Sequence, residues 1–231
     1  MVANTTGTGA HGRKALTKYR ITLLLSLFIL ALVTSILTIT AAQEPFLKWD
    51  VPLARGLQSL EFPSVGLAQW ITAMADNPWR YVLLILTMAA AWGIGGPRAA
   101  TVALPIFFCS WLTGAWLSSI VAQPRPAVEL IHVVGHPTGY AYPSIFGLCF
   151  MATFGYLGLL AALLDRGALR VGLPIVMMAI LIFGAMARVA LGAHWPSDLL
   201  GSYLVGLFWI LVFLPLVCGG KNHPPVVPKR R

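Results

Sequence analysis

The sequence predicts an all-α, polytopic membrane protein: a six-transmembrane-helix bundle with short interfacial helices in the first outer loop. Three observations carry this expectation. Of 231 residues, 58% are hydrophobic and only 10% are charged, against roughly a quarter charged in soluble domains. Apolar runs long enough to cross a hydrocarbon core of about 30 Å recur along the chain. Lys and Arg also concentrate in alternate connecting segments, the pattern that orients a membrane protein.

Residues 1–20 form a basic, cytoplasmic tail with Arg13, Lys14, Lys18 and Arg20 before the first apolar run at 21–42. A signal peptide is the rival reading of that run. It exceeds the usual apolar core of a signal and lacks a clean small-x-small site, which favours a retained helix. Residues 43–77 mix Trp49, Asp50, Arg55, Glu61, Pro63, Trp70 and Asp76 with apolar positions, the pattern of one or two helices lying at the interface. Further spans are expected at 78–95, 99–122, 143–164, 171–190 and 198–218. They complete a membrane domain over 21–218, followed by a basic cytoplasmic tail at 219–231. With the N-terminus inside, the inner segments hold eleven Lys and Arg residues, and the outer segments hold five beside six of the seven acids. Both termini are therefore expected in the cytoplasm. The connections 123–142 and 188–198 then share the outer side, at what is expected to be the plasma membrane.

The net charge of +9 does not indicate nucleic acid. The basic residues gather in the tails without aromatic interleaving or a recognisable motif, and attraction to anionic lipid explains them better. Cys109, Cys149 and Cys218 lie in apolar runs without metal-like spacing and are expected to be packing residues. No carboxylate cluster suggests a metal, and no cofactor is expected. Gly93-Ile-Gly95-Gly96-Pro97 resembles a nucleotide loop only superficially, having no strand before it, and is expected to stop a helix.

Two polar stretches on the outer side can do chemistry. In Arg188-Val-Ala-Leu-Gly-Ala-His194-Trp-Pro-Ser-Asp198, Pro196 suits the first turn of a helix. That puts Asp198 where the dipole favours a carboxylate, within reach to orient His194. In Gln123-Pro-Arg125-Pro126 through Pro143-Ser144, a guanidinium held between prolines can clamp phosphate oxygens. Ser144 opens a helix whose free N–H groups suit an anion. Together these give two guanidiniums, a hydroxyl and a His–Asp pair facing one outer pocket, a set suited to phosphate.

On these residues the chain resembles the type-2 phosphatidic acid phosphatase family, which shares its phosphate site with vanadium-dependent haloperoxidases. The family's third motif, Ser-Arg, His and Asp, appears as Ala187-Arg188, His194 and Asp198 with the family spacing. Its first motif keeps Arg125-Pro126 but has Ser118 in place of Lys. Its second, Pro-Ser-Gly-His, reads Pro143-Ser144-Ile145-Phe146. The resemblance implies that His194 attacks phosphorus and carries a phosphohistidine, with Asp198 orienting it. It implies that Arg125, Ser144 and Arg188 hold the phosphate oxygens. It also implies that the proton donor has been lost at Phe146, a cation at Ser118, and a close backbone approach at Ile145.

Three readings follow. His132 or His136, in the same outer loop, supplies the proton instead. Alternatively, the substrate is a polyprenyl diphosphate rather than a phosphatidate-like monoester, and its leaving group needs little protonation. In the third, the chain is a catalytically inactive member that binds a phosphorylated lipid or a partner. An intramembrane protease would need Ser144 in a Gly-x-Ser-Gly frame, which is lacking. A transporter would need interrupted helices or buried mid-membrane charge.

Overall fold

The computed structural model describes residues 7–60, 62–164 and 167–218, with side chains from Thr17 onward. The described residues are helical and connecting. The C-terminal tail and Arg166, both counted as cytoplasmic charge, lie outside them.

Helix α1 runs over Gly7–Gln43, so helical backbone starts well inside the segment expected as a polar tail. Residues 7–20 lack proline, and a helix nucleated in the apolar run extends backwards at little cost. Its part from Thr17 to Gln43 is long and apolar enough to span. Two short helices follow, α2 (Asp50–Gln58) and α3 (Val65–Ala73). Asp50 sits in the first turn of α2. The Ser64 hydroxyl caps α3 by accepting from the Leu67 N–H at 3.0 Å.

Helix α4 covers Trp79–Val121, where separate spans at 78–95 and 99–122 were expected. Its 43 residues would reach about 64 Å at 1.5 Å per residue, twice a bilayer core. The helix is broken at Gly96, whose φ of 76° and ψ of −169° are non-helical, and Pro97 follows. The Gly–Pro stop read from the sequence is therefore a sharp break rather than a separate loop. Ala122, in the left-handed region at φ 48°, ends α4.

Next come α5 (Ile145–Phe150), a π-helical turn at Met151–Gly155, and α6 (Tyr156–Leu164), which together make one apolar run. Helix α7 is Leu169–Ala190 and α8 is Pro196–Cys218, with Pro196 as its first residue, as its fixed φ suits. Among the described residues, five helices are long and apolar enough to cross a membrane.

The surface confirms the solvent. Leu24, Phe28, Ile85, Trp92, Leu112, Ile175 and many other large apolar side chains are exposed, far beyond the patch size a soluble monomer tolerates. This is an integral membrane protein. Inside, small residues let the helices approach, since lipid gives no hydrophobic drive between them. Ala91, Ala99 and Ala103 of α4 are fully buried. A Cβ on Gly147 of α5 would lie 2.7 Å from Ser202 Cβ of α8. Gly201 faces the ring of Tyr142, whose hydroxyl pairs with Thr38 of α1 at 2.8 Å.

Candidate active site

The turn between α7 and α8 carries the centre of the site. Gly192 occupies the left-handed region at φ 64°, and a Cβ there would collide with the carbonyl of His132. Its neighbour is therefore the backbone of the 123–142 connection. The same approach lets Val134 N–H donate to the Leu191 carbonyl at 2.9 Å. Gly192→Ala is expected to destabilise the fold by about 1–3 kcal/mol, from positive φ and backbone overlap together. A thermal midpoint in detergent unchanged from wild type would contradict this.

Asp198 lies at the third position of α8, and its Oδ2 accepts the Trp195 N–H at 2.8 Å, half of a capping box. The same oxygen is 3.3 Å from His194 Nδ1. His194 Nε2 is 3.1 Å from the Ser144 hydroxyl and 2.7 Å from Arg125 Nη1, which lies farther, at 3.2 Å, from Nδ1. The partners fit an imidazole with its proton on Nδ1, shared with Asp198, and its lone pair on Nε2. Ser144 is the N-cap of α5 and accepts from the Gly147 N–H at 3.4 Å. Arg125 is anchored by donating to the carbonyls of Ala193 (2.6 Å) and Thr138 (3.0 Å). His194, Ser144 and Asp198 are all buried.

Burial holds the His194 pKa well below the ordinary imidazole range, and the guanidiniums of Arg188 and Arg125 push the same way. The ring is therefore neutral and nucleophilic at rest. Burial also lowers Arg125, opposed by the Asp198 carboxylate, but a guanidinium stays charged. The acid limb of kcat/KM, which reports the free enzyme, is expected below pH of about 6.5, the unperturbed imidazole value. Lowering pH protonates His194 only beneath that point. A limb at or above it, after correction for substrate ionisation, would contradict a neutral His194.

Arg188, in the last turn of α7, has a buried Nε without a hydrogen-bond partner. Its guanidinium carbon lies 5.6 Å from the centre of the Phe146 ring, within cation–π range. An orphaned buried donor beside Arg125, Ser144 and His194 fits an anion with several oxygens. Phe146 is 4% exposed and packs on Phe150 with ring centres 4.0 Å apart. The position expected to have lost a proton donor is thus filled by a packed aromatic ring.

The remaining expected residues divide. Arg125, Ser144, His194 and Asp198 come together by direct contact, with Arg188 alongside over Phe146. Ile145 directs its bulk elsewhere: its Cδ1 would lie 3.3 Å from a Cβ on Gly114 of α4. Ala187 is buried in α7, its carbonyl accepting from Leu191 N–H. Ser118 is half-buried in the last turn of α4, its carbonyl accepting from Ala122 N–H. His132 and His136 have exposed side chains. His132 is held through its backbone, to both ends of the Gln58 amide. Two residues near the site carried no local signal in the sequence, Asp50 and Gln58 of α2. Asp50 is fully buried and bonded to Ser197, next to Asp198.

No family model matches the chain. It is 27% identical over 151 residues to the protein named "Putative undecaprenyl-diphosphatase YbjG" of Escherichia coli (strain K12), across 62% of this chain and 72% of that one. Its fold matches the crystal structure of the first transmembrane PAP2 type phosphatidylglycerolphosphate phosphatase from Bacillus subtilis, with a TM-score of 0.64. That alignment covers 88% of this chain and 98% of the other at 16% identity.

Proposed function

We propose that this chain, a member of the type-2 phosphatidic acid phosphatase family, is a membrane lipid phosphatase that uses His194 as its nucleophile and favours lipid diphosphates. One observation carries the reading: His194 Nε2 is directed at Ser144 and Arg125 while Nδ1 meets Asp198. An arriving phosphate would take over donors from Arg125, Ser144 and the unpartnered Nε of Arg188, which then stabilise charge growing on its oxygens. Nε2 bonds to phosphorus as the bond to the leaving oxygen breaks, and the electron pair departs with that oxygen. Asp198 supports the imidazolium by accepting its Nδ1 proton in a hydrogen bond. Water then cleaves the P–N bond, releasing phosphate and restoring neutral His194.

The diphosphate preference follows from Phe146. A monoester must expel an alkoxide, which needs a proton, and an aromatic ring has none to give. A diphosphate attacked at its terminal phosphorus expels a lipid monophosphate, a stable anion at neutral pH. The exposed imidazoles of His132 and His136 give little support to a substitute donor. The E. coli relative named for undecaprenyl diphosphate supports a polyprenyl diphosphate over a phosphatidate-like monoester.

In this reading α4 crosses twice, on either side of Gly96, giving six spans over 21–218 between two cytoplasmic tails. Helices α2 and α3 lie at the interface, and the site opens on the outer face of the plasma membrane. No cofactor takes part. Phosphate release from polyprenyl diphosphates and matched lipid monophosphates in detergent tests it, with diphosphate turnover expected to dominate. A second reading, a catalytically inactive member that grips a phosphorylated lipid, is favoured by the packed Phe146 alone. It requires that neither substrate class releases phosphate.

A further inference from the structure

Helix α2 reaches three of the backbone segments around the site through the polar side chains of Asp50, Arg55 and Gln58. Asp50, at its start, is 0% exposed. Its Oδ1 accepts the Ser197 N–H at 2.9 Å. Its Oδ2 accepts the Ser197 hydroxyl at 2.6 Å and the Leu47 N–H at 2.8 Å. Ser197 is the second residue of α8, so its N–H is one of the four that a helix leaves without an internal partner. Asp50 therefore caps α8 from a distant helix, one residue from Asp198 and three from His194, with its charge at the favourable end of the dipole.

Arg55, one turn further along α2, donates from Nε to the Leu130 carbonyl at 2.8 Å. Gln58, at the helix end, donates to the carbonyls of His132 (2.8 Å) and Val189 (3.0 Å), and accepts from the His132 N–H at 3.1 Å. Val189 follows Arg188, and Leu130 and His132 belong to the loop that starts with Arg125. One nine-residue helix thus fastens the start of α8, the end of α7 and the outer loop to each other.

We infer that α2 is a positioning clasp, in which Asp50 sets the register of the His194–Asp198 pair and Gln58 holds Arg188 against the outer loop. Neither side chain touches the place where phosphate would lie, so both act through others. Burial raises the Asp50 pKa above the ordinary carboxylate value, and the bonds from Ser197 and Leu47 offset part of the rise. Three donors converge on two carboxylate oxygens. An amide at this position would turn its NH₂ toward one of those donors and break the arrangement.

The activity arm of the test rests on the proposed phosphatase reading, and a spectroscopic arm does not. In the first, Asp50→Asn, Ser197→Ala and Gln58→Leu are compared for diphosphate turnover. The kcat of Asp50→Asn is expected to fall about 10–100-fold with KM changed less than about threefold, because misplacing a reacting group by an ångström costs that much. Ser197→Ala keeps the backbone bond and should show a smaller loss of the same kind. It carries the decision if Asp50→Asn does not fold. Losses that only track the amount of folded protein, or unchanged kcat in folded variants, would overturn the inference.

In the second arm, His11, His132, His136 and His223 are changed to Gln, leaving His194 as the sole, ¹⁵N-labelled histidine. A single neutral tautomer with its proton on Nδ1 is expected, giving way to mixed or broadened signals with Asp50→Asn and with Ser197→Ala. Identical spectra in the parent and both variants would overturn the inference. If the wild-type chain releases no phosphate at all, the phosphatase reading fails, and the imidazole spectra still decide the clasp.

Discussion

His194→Ala is expected to reduce diphosphate hydrolysis by about 10³-fold or more, because the covalent route disappears with its nucleophile. The protein should still fold. Asp198 keeps its bond from the Trp195 N–H and Asp50 keeps its bonds to Ser197, so the first turn of α8 does not depend on the imidazole. The check is phosphate release per folded molecule, with folding followed by the thermal midpoint. Turnover persisting within about tenfold of wild type would remove His194 from the chemistry and leave the clustering of Arg125, Ser144 and Asp198 around it without a catalytic purpose.

Phe146→His should act in the opposite direction. Restoring an acid at this position is expected to raise lipid monophosphate hydrolysis by about 10²-fold, the low end of what general acid catalysis supplies. The low end applies because the site is buried and faces the Arg188 guanidinium, and both features disfavour a charged imidazole. Diphosphate turnover should change far less, since its leaving group needs no proton. The change costs the Phe146–Phe150 ring pair, worth about 0.5–1.5 kcal/mol beyond area. A monophosphate-to-diphosphate ratio that does not move in a folded variant would show that the lost acid does not set the preference.

Much of this site is legible in the sequence. Pro196 and Asp198 announce a helix start by local rules, and His194 sits beside it at fixed spacing. Pro143-Ser144 does the same for α5, where Ser144 is the N-cap. Such signals survive because helix ends are encoded within a few residues. The roles of Ile145 and Phe146 were not legible. Sequence comparison marked both as losses at one site, yet Ile145 packs toward Gly114 of α4 while Phe146 lies against Arg188. The direction of a side chain at the start of a helix depends on which neighbours surround it.

By itself, the sequence determined the membrane class, the length of the apolar runs, and the residue types gathered in the connections 123–142 and 188–198. Hydropathy, helix capping and proline geometry are short-range properties, readable without knowing the neighbours. Tertiary structure alone decided that Arg125 meets His194 across 69 positions and that Asp50 reaches Ser197 across 147. Those contacts depend on how closely helices with small facing residues can pack, and on Gly192 letting the 123–142 connection lie against the α7–α8 turn.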